Sequence, residues 1–163
     1  MKKNNLIFFF LTLCVFVQGQ TKDSIASTLD AWHLAASNAN FDAYFGLMTE
    51  DAIFIGTDAT ENWGFEAFKT FSKPYFDRGK AWSFTAIERN IFINETEDIA
   101  WFDELLNTQM KICRGSGVLK KVDGHWMVAH YVLSIAVPNE YVDELVELKK
   151  VKDDSLIIKL SKN

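Results

Sequence analysis

His130 is the side chain of this sequence best suited to proton transfer, because an imidazole titrates near neutral pH. It belongs to the run Trp126 to Val137, whose alternating pattern predicts a β-strand. Side chains of a strand alternate between two faces. The face of His130 also holds Trp126, Val128, Val132 and Ser134. Two interpretations stay open: a general acid or base, or a histidine held by one hydrogen bond in a partly buried wall.

Glu104 is a second candidate, a carboxylate on the predicted strand Ile99 to Thr108. It shares a face of that strand with Phe102. A carboxyl group buried among aromatic rings has a raised pKa and can move a proton. The alternative is a buried salt bridge with Arg114 on the next predicted strand, which keeps Glu104 ionised but still allows the pair to bind a polar group of a ligand.

Arg89 is a charged residue within the isoleucine-rich run 87–93, so it either points inward with a partner or lies at a bulge. An inward guanidinium group would suit an anionic ligand such as a carboxylate, whose geometry it matches. The alternative is a structural ion pair with Glu104, Asp103 or Asp58.

The elements that must position these groups follow from a change of hydrophobic period near Gly79. Before it, apolar residues recur mainly at three- and four-residue steps; after it, the period is two. The Asp123–Gly124 pair predicts a tight hairpin turn. Helices are expected at 25–36, 41–48 and 65–76, strands at 52–55, 82–93, 99–108, 112–122 and 126–137, and a terminal helix after Pro138. Helices followed by an antiparallel meander predict an α+β fold with the helices on one face of a curved sheet.

Length, charge and histidine spacing exclude several classes of protein. The chain has 163 residues, enough for one domain with a sizeable core. Its net charge of −5 argues against a nucleic-acid partner, because phosphate binding needs a basic face. The 3 histidines lack the spacing of metal ligands, and the sequence has no glycine-rich phosphate loop. We therefore expect no metal and no cofactor.

Several short segments, taken in order, resemble the SnoaL-like branch of the nuclear transport factor 2-like superfamily. They run from Trp32 through Asn40-Phe41-Asp42, Met48-Thr49-Glu50-Asp51-Ala52, Gly56-Thr57-Asp58, Ala100-Trp101-Phe102 and Arg114-Gly115-Ser116-Gly117 to Asp123-Gly124-His125-Trp126, His130 and Ser134. The resemblance implies a cone-shaped α+β fold, in which a curved antiparallel sheet and N-terminal helices close a pocket. It also implies a domain at 24–138 and a C-terminal helical extension at 139–163.

The resemblance further implies which side chains line that pocket. It turns His130 and Glu104 inward, as the pair that would move protons. In many relatives a second polar residue lies two positions after the histidine, whereas this chain has Val132, which argues against an acid/base pair within that strand. The expected lining of the pocket consists of Trp63, Asp58, Arg89, Phe102, Arg114 and Trp126. Trp63 has two interpretations, a lid over the pocket or an anchor in the core.

Members of this superfamily include isomerases, cyclases, dehydratases and non-catalytic binding or assembly domains, so the fold leaves three functions open. The first is an exported pocket protein that binds a small apolar or amphipathic ligand, which the aromatic content and Val132 favour. The second is a cofactor-independent isomerase, cyclase or dehydratase that uses His130 and Glu104. The third is an assembly module that dimerises through its open sheet face, with segment 141–160 as an extra interface. A homodimer is compatible with all three.

The N-terminus has the pattern of an export signal. Lys2 and Lys3 precede the apolar stretch Leu6 to Val17, which is shorter than the roughly 20 residues that span a bilayer. Cleavage is expected after Gly19, or one residue to either side. This gives a signal peptide at 1–19 and a periplasmic or secreted protein that no longer contacts the membrane. The alternative is an uncleaved N-terminal anchor.

We predict that the protein recovered after export begins at Gln20, within one residue, because the small Gly19 suits the cleavage position. Intact-mass spectrometry of the exported protein measures this directly. A full-length chain retained in the membrane fraction would instead identify the segment as an anchor.

Overall fold

Within the described residues, the chain folds into four α-helices and six strands. The computed structural model describes the backbone of residues 4–162 and the side chains of residues 19–162. The elements are α1 (Asn4–Ser37), α2 (Phe41–Gly46), β1 (Met48–Ile55), β2 (Asn62–Gly64), α3 (Phe65–Asp77), β3 (Phe84–Ile93), β4 (Ile99–Thr108), β5 (Lys111–Val122), β6 (His125–Ile135) and α4 (Val142–Leu160). A short 3-10 helix, Asn139–Tyr141, precedes α4.

The predicted signal peptide covers residues 1–19, and all of its side chains except Gly19 lie outside the described residues. Among the helices that are described, none is long and apolar enough to cross a membrane.

The strands form one sheet in the order β2-β1-β6-β5-β4-β3. β3 to β6 make the predicted antiparallel meander, and β1 lies parallel to β6 at the other side of the sheet. α1 packs against β3 and β6, and α3 packs against β1 and β2. The predicted α+β class, with N-terminal helices on a curved sheet and a C-terminal helix, is confirmed.

Two β-bulges change which side chains face the helices. The pairing of β3 with β4 shifts between Ala86 and Glu88, and the pairing of β6 with β5 shifts at Ala129. A bulge inserts one extra residue, so the residues beyond it face opposite to what strict alternation predicts. Tyr131 is therefore fully buried, whereas Ile87 is 59% exposed.

Aromatic rings fill the space between the helices and the inner face of the sheet. Trp32 of α1 stacks on Tyr44 of α2 with 4.9 Å between ring centroids. Phe54 of β1 stacks on Phe68 of α3 at 4.0 Å. One side of α1 faces this core, and its four residues are almost completely buried: Ile25, Leu29, Trp32 and Ala36. The inner side of the sheet is thus a packed aromatic core.

Helix α4 stands apart from this core. Its residues all lie in the described part of the chain, and none of their side chains is buried. A groove of about 650 Å³ lies between α4 and the body of the domain. The groove is lined by the loop 56–61, by Ser134 at the end of β6 and by Lys149, Lys152, Asp153 and Leu156 of α4. The hydrophobic side chains of α4 therefore remain largely in contact with water.

Candidate functional site

Glu104 is the centre of a buried polar cluster that joins four elements. Its side chain is 1% exposed, on the inner face of β4. The Nε2 atom of His33 in α1 lies 2.8 Å from Oε1, and the Tyr131 hydroxyl in β6 donates to the same oxygen at 3.1 Å. Arg89 in β3 donates from Nε to Oε2 at 2.8 Å. Both carboxylate oxygens are therefore satisfied by protein groups, as a buried charge requires.

Arg89 extends the cluster to the surface of α1. Its Nη1 atom donates to the carboxylate of Asp30 at 2.8 Å and to the backbone carbonyl of Ala26 at 3.2 Å. The Arg89 side chain is 10% exposed, whereas that of Asp30 is 68% exposed. The guanidinium group thus links the inner face of the sheet to α1.

Gly115 makes room for this cluster on β5. It lies directly opposite Glu104 in the pairing of β4 with β5. A Cβ atom at this position would lie 2.3 Å from the Tyr131 hydroxyl oxygen and 3.0 Å from Cγ of Glu104. The close backbone approach expected for a glycine within a strand is therefore what admits the tyrosine and the carboxylate.

The cluster fixes the protonation of its acidic members. Burial raises the pKa of Glu104, but the hydrogen bonds and charges of His33 and Arg89 outweigh it and hold the pKa below the ordinary value. Burial and the neighbouring Glu104 carboxylate raise the pKa of Tyr131 well above its ordinary value. At neutral pH Glu104 is therefore an ionised acceptor and Tyr131 a neutral donor. The salt-bridge interpretation of Glu104 holds, with Arg89 rather than Arg114 as its partner.

The second ring nitrogen of His33 is not used by this cluster. His33 is 4% exposed, and its Nδ1 atom has no hydrogen-bond partner among the described residues. The same holds for the indole nitrogen of Trp32, whose ring centroid lies 5.3 Å from that of His33. Because Glu104 accepts from Nε2, a neutral imidazole has its lone pair on Nδ1. With the imidazole in that neutral form, the two rings present one free acceptor and one free donor inside the core.

The orientation predicted for His130 is wrong. The bulge at Ala129 turns Tyr131 inward, so His130 lies on the outer face of the sheet, opposite Val118 of β5. His130 is half-buried and does not face the space that contains Glu104. The two residues expected to form a proton-transfer pair therefore lie on opposite faces.

The inward position predicted for Arg114 is also wrong. Arg114 is exposed on the outer face of β5, opposite Ser134. The inner positions on either side of it belong to Cys113 and Gly115. Strict alternation therefore directs Arg114 to solvent.

The other residues of the expected pocket lie in three different places. Phe102 and Trp126 are buried on the inner face, and the Lys121 ammonium lies 5.5 Å from the Trp126 ring centroid. Trp63 is half-buried in β2 and stacks on Phe71 of α3 at 4.3 Å, which favours the core-anchor interpretation. Asp58 is exposed in the loop after β1, where its carboxylate accepts from the backbone and side chain of Thr60.

Neither His33 nor Tyr131 was singled out by the sequence analysis. His33 follows Trp32 directly, and helix geometry puts neighbouring residues only about 100° apart around the axis. This signal places His33 beside the core but does not name Glu104 as its partner. Tyr131 carries no local signal, because the bulge before it depends on strand pairing. Within residues 19–162, no three His, Cys, Asp or Glu side chains are placed to hold a metal ion.

Comparison with known proteins identifies the fold. Residues 25–138 match the SnoaL-like domain family. Comparison of the sequence with curated proteins finds no match.

Solved structures of low sequence identity share this architecture. An NTF2-like protein from Cytophaga hutchinsonii is 18% identical, with a TM-score of 0.59 over 71% of this chain and 98% of that one. An NTF2-like protein of unknown function from Pseudomonas putida is 13% identical, with a TM-score of 0.61 over 72% of this chain and 88% of that one. The association domain of CaMKII from C. elegans is 22% identical, with a TM-score of 0.58 over 72% of this chain and 96% of that one. At these identities the likeness shows the fold alone.

We predict that Glu104→Gln lowers the free energy of unfolding at neutral pH by about 3–5 kcal/mol, because it removes the buried carboxylate that pairs with Arg89 and leaves only that of the exposed Asp30. The pKa of Glu104 is lower in the folded chain than in the unfolded one. Its stabilisation is therefore complete above the ordinary pKa of 4.5 and is lost as pH falls through the folded value. Urea unfolding across this pH range, followed by tryptophan fluorescence, measures the difference.

Asp103→Asn is the matched control, because Asp103 neighbours Glu104 on the same strand but faces outward, where it accepts from Asn90 at 3.1 Å. It should change stability by less than about 1 kcal/mol. A Glu104→Gln variant that keeps the stability of the parent chain at neutral pH would contradict the anchoring role of the carboxylate.

Proposed function

Since the chain belongs to the SnoaL-like domain family, whose fold does not by itself assign an activity, we propose that it is an assembly module that forms a homodimer through the outer face of its sheet. The observation that carries the proposal is a mainly apolar row that crosses this face, with three exposed residues (Phe92, Trp101 and Ile53) and two half-buried ones (Val118 and His130). The row contains one side chain from each of five strands: Phe92, Trp101, Val118, His130 and Ile53.

Strand register makes this row continuous. Phe92 pairs with Trp101, and Trp101 pairs with Val118. His130 lies opposite Val118 on one side and opposite Ile53 on the other. Phe92 and Trp101 are each 46% exposed, and their rings stack at 5.9 Å with an angle of 13° between their planes. Two large aromatic rings in a contiguous exposed patch are typical of a protein interface.

The surroundings of the row suit a second copy of the same chain. A two-fold dimer buries the same patch on both subunits, so that patch must be complementary to itself. Residues of both signs border the row: Lys120 is bonded to Asp51 at 2.6 Å, and Arg114 and Asp103 lie on the same face. A polar rim with both charges around an apolar centre meets this requirement. The similarity to an association domain, that of C. elegans CaMKII, is a supporting parallel.

The interior supports an assembly role more than catalysis by His130 and Glu104. The inner face is filled by aromatic rings, and the Glu104 carboxylate is committed to three protein partners. A base with a lowered pKa is also a weak one at neutral pH. The predicted export signal at 1–19 leads us to propose that the dimer acts outside the cytoplasm.

A second candidate function follows from the free ring nitrogens in the core. A hydroxyl group can donate to Nδ1 of His33 and accept from the indole N–H of Trp32. The apolar part of the same molecule would have to displace some of the rings that fill this core and contact the others. We therefore propose, as the alternative, that the core binds a small amphipathic ligand with a hydroxyl group.

We predict that Trp101→Lys converts the dimer to a monomer, with a dissociation constant raised by about 30-fold or more, because a tryptophan at the centre of an interface is commonly a hot spot. Sedimentation velocity over a concentration series measures this. Leu34→Lys is the control, since Leu34 is 59% exposed on α1, away from the sheet. A parent chain that is monomeric at all concentrations, or a Trp101→Lys variant that stays dimeric, would refute the sheet-face dimer.

We predict for the alternative that native mass spectrometry of protein purified without denaturation detects a bound small molecule. Trp32→Phe should reduce the occupied fraction, because it keeps an aromatic ring and removes only the indole donor. Trp101→Phe, on the outer face, is the control and should leave occupancy unchanged. A protein without added mass, together with a crystal structure that shows only water at Nδ1 of His33, would exclude this ligand.

A further inference from the structure

Helix α4 needs a partner that the isolated chain does not provide. It has 19 residues, and its side chains, all within the described part of the chain, contribute nothing to the buried core. Leu148 is 83% exposed and Val151 is 82% exposed. Most helical stability in proteins comes from a buried apolar face, which α4 lacks. A surface that covers these side chains would therefore stabilise α4.

Leu148 and Val151, the two most exposed apolar residues of α4, share one stripe with Ile158, whereas Ile157 and Leu160 lie off it. Leu148, Val151, Ser155 and Ile158 follow each other at steps of three, four and three residues, which is the spacing of a coiled-coil seam. The groove toward the domain is lined by Lys149, Lys152, Asp153 and Leu156, none of which belongs to the stripe. The stripe is thus directed away from the body of its own chain.

The charges beside the stripe are complementary to those of the same helix in a second copy. Glu147 and Asp154 each precede a seam position by one residue, and Lys152 and Lys159 each follow one. In a parallel pair of helices, the residue before a seam position meets the residue five positions later on the other helix. Glu147 would then meet Lys152 of the second copy, and Asp154 would meet Lys159. An antiparallel pair would bring like charges together instead.

We propose that α4 pairs in parallel with α4 of a second copy of this chain, as a short two-stranded coiled coil. Only two heptads carry the seam, and Ser155 weakens it, so the pair depends on a tether that holds the two helices close. The proposed sheet-face dimer supplies that tether by raising the effective concentration of one helix near the other. The inference therefore rests on the proposed function but concerns a different surface.

A disulfide between seam positions tests the pairing and its direction. We expect Ile158→Cys to form a 158–158 disulfide under mild oxidation, because a parallel pair brings equal positions together. Ile157→Cys is the matched control, since Ile157 is 59% exposed and Ile158 is 58% exposed, but only the latter lies on the seam. The chain without added cysteine controls for Cys14 and Cys113.

Charge exchange tests the partner. In the Ile158→Cys background, Glu147→Lys with Asp154→Lys, or Lys152→Glu with Lys159→Glu, places like charges at every contact beside the seam. Each of these two variants alone should cross-link about tenfold more slowly. A one-to-one mixture should recover the rate of the starting chain, because opposite charges then meet. Salt at about 1 M should reduce the difference.

The outcomes separate this inference from the proposed function. If Ile158→Cys and Ile157→Cys form disulfides at equal rates in a chain that sediments as a dimer, the α4 pair is overturned. The sheet-face dimer is then still supported. Cross-linking of Ile158→Cys to a Glu144→Cys chain, without a 158–158 product, would overturn the parallel direction. If the one-to-one mixture of the two charge variants does not recover the cross-linking rate of the starting chain, the charge pairing is overturned. A chain that sediments as a monomer would overturn both proposals.

Discussion

The burial of a single carboxylate constrains the rest of this structure. Glu104 is ionised inside an aromatic core, which is costly unless every oxygen is paired. Its partners come from α1, β3 and β6, so these elements can approach one another only in the arrangement that brings His33, Arg89 and Tyr131 to the same point. The polar cluster therefore specifies how the helix is placed on the sheet, while the aromatic rings supply most of the apolar burial.

The bulges in β3 and β6 are the second constraint, because they decide which side chains each face of the sheet displays. Without the shift at Ala129, alternation would turn Tyr131 away from Glu104 and bring His130 to the inner face. The bulge in β3 separates Phe84 and Arg89, which both point inward although their numbers differ in parity. One inserted residue in each of these strands therefore turns the partners of Glu104 toward the inner face. The exposed aromatic rings stay on the outer face.

Local signals were sufficient for most elements, although they missed β2 and the start of β1 at Met48, and strand pairing was needed to assign the faces. Strand β4 has the predicted bounds, Ile99–Thr108, and its inner residues Phe102 and Glu104 were predicted because no bulge interrupts that strand. The orientations of His130 and Arg114 were not recovered. The orientation of His130 depends on an inserted residue relative to β5. The orientation of Arg114 depends on the requirement that its neighbour Gly115 occupy the inner position. Such dependences between strands are not visible in the alternation of one segment.

The wide spacing of the Glu104 partners along the chain has a consequence for folding kinetics. Arg89 is 15 residues from Glu104, Tyr131 is 27 and His33 is 71. Contacts of such long range close late, because loop-closure entropy must be overcome before they form. The carboxylate stays hydrated until β6 and α1 have both docked, and its desolvation is then compensated in one step. Folding of this domain should accordingly be slow and cooperative. Docking of β6, the last strand, should be needed before α1, the first helix, is fixed in position.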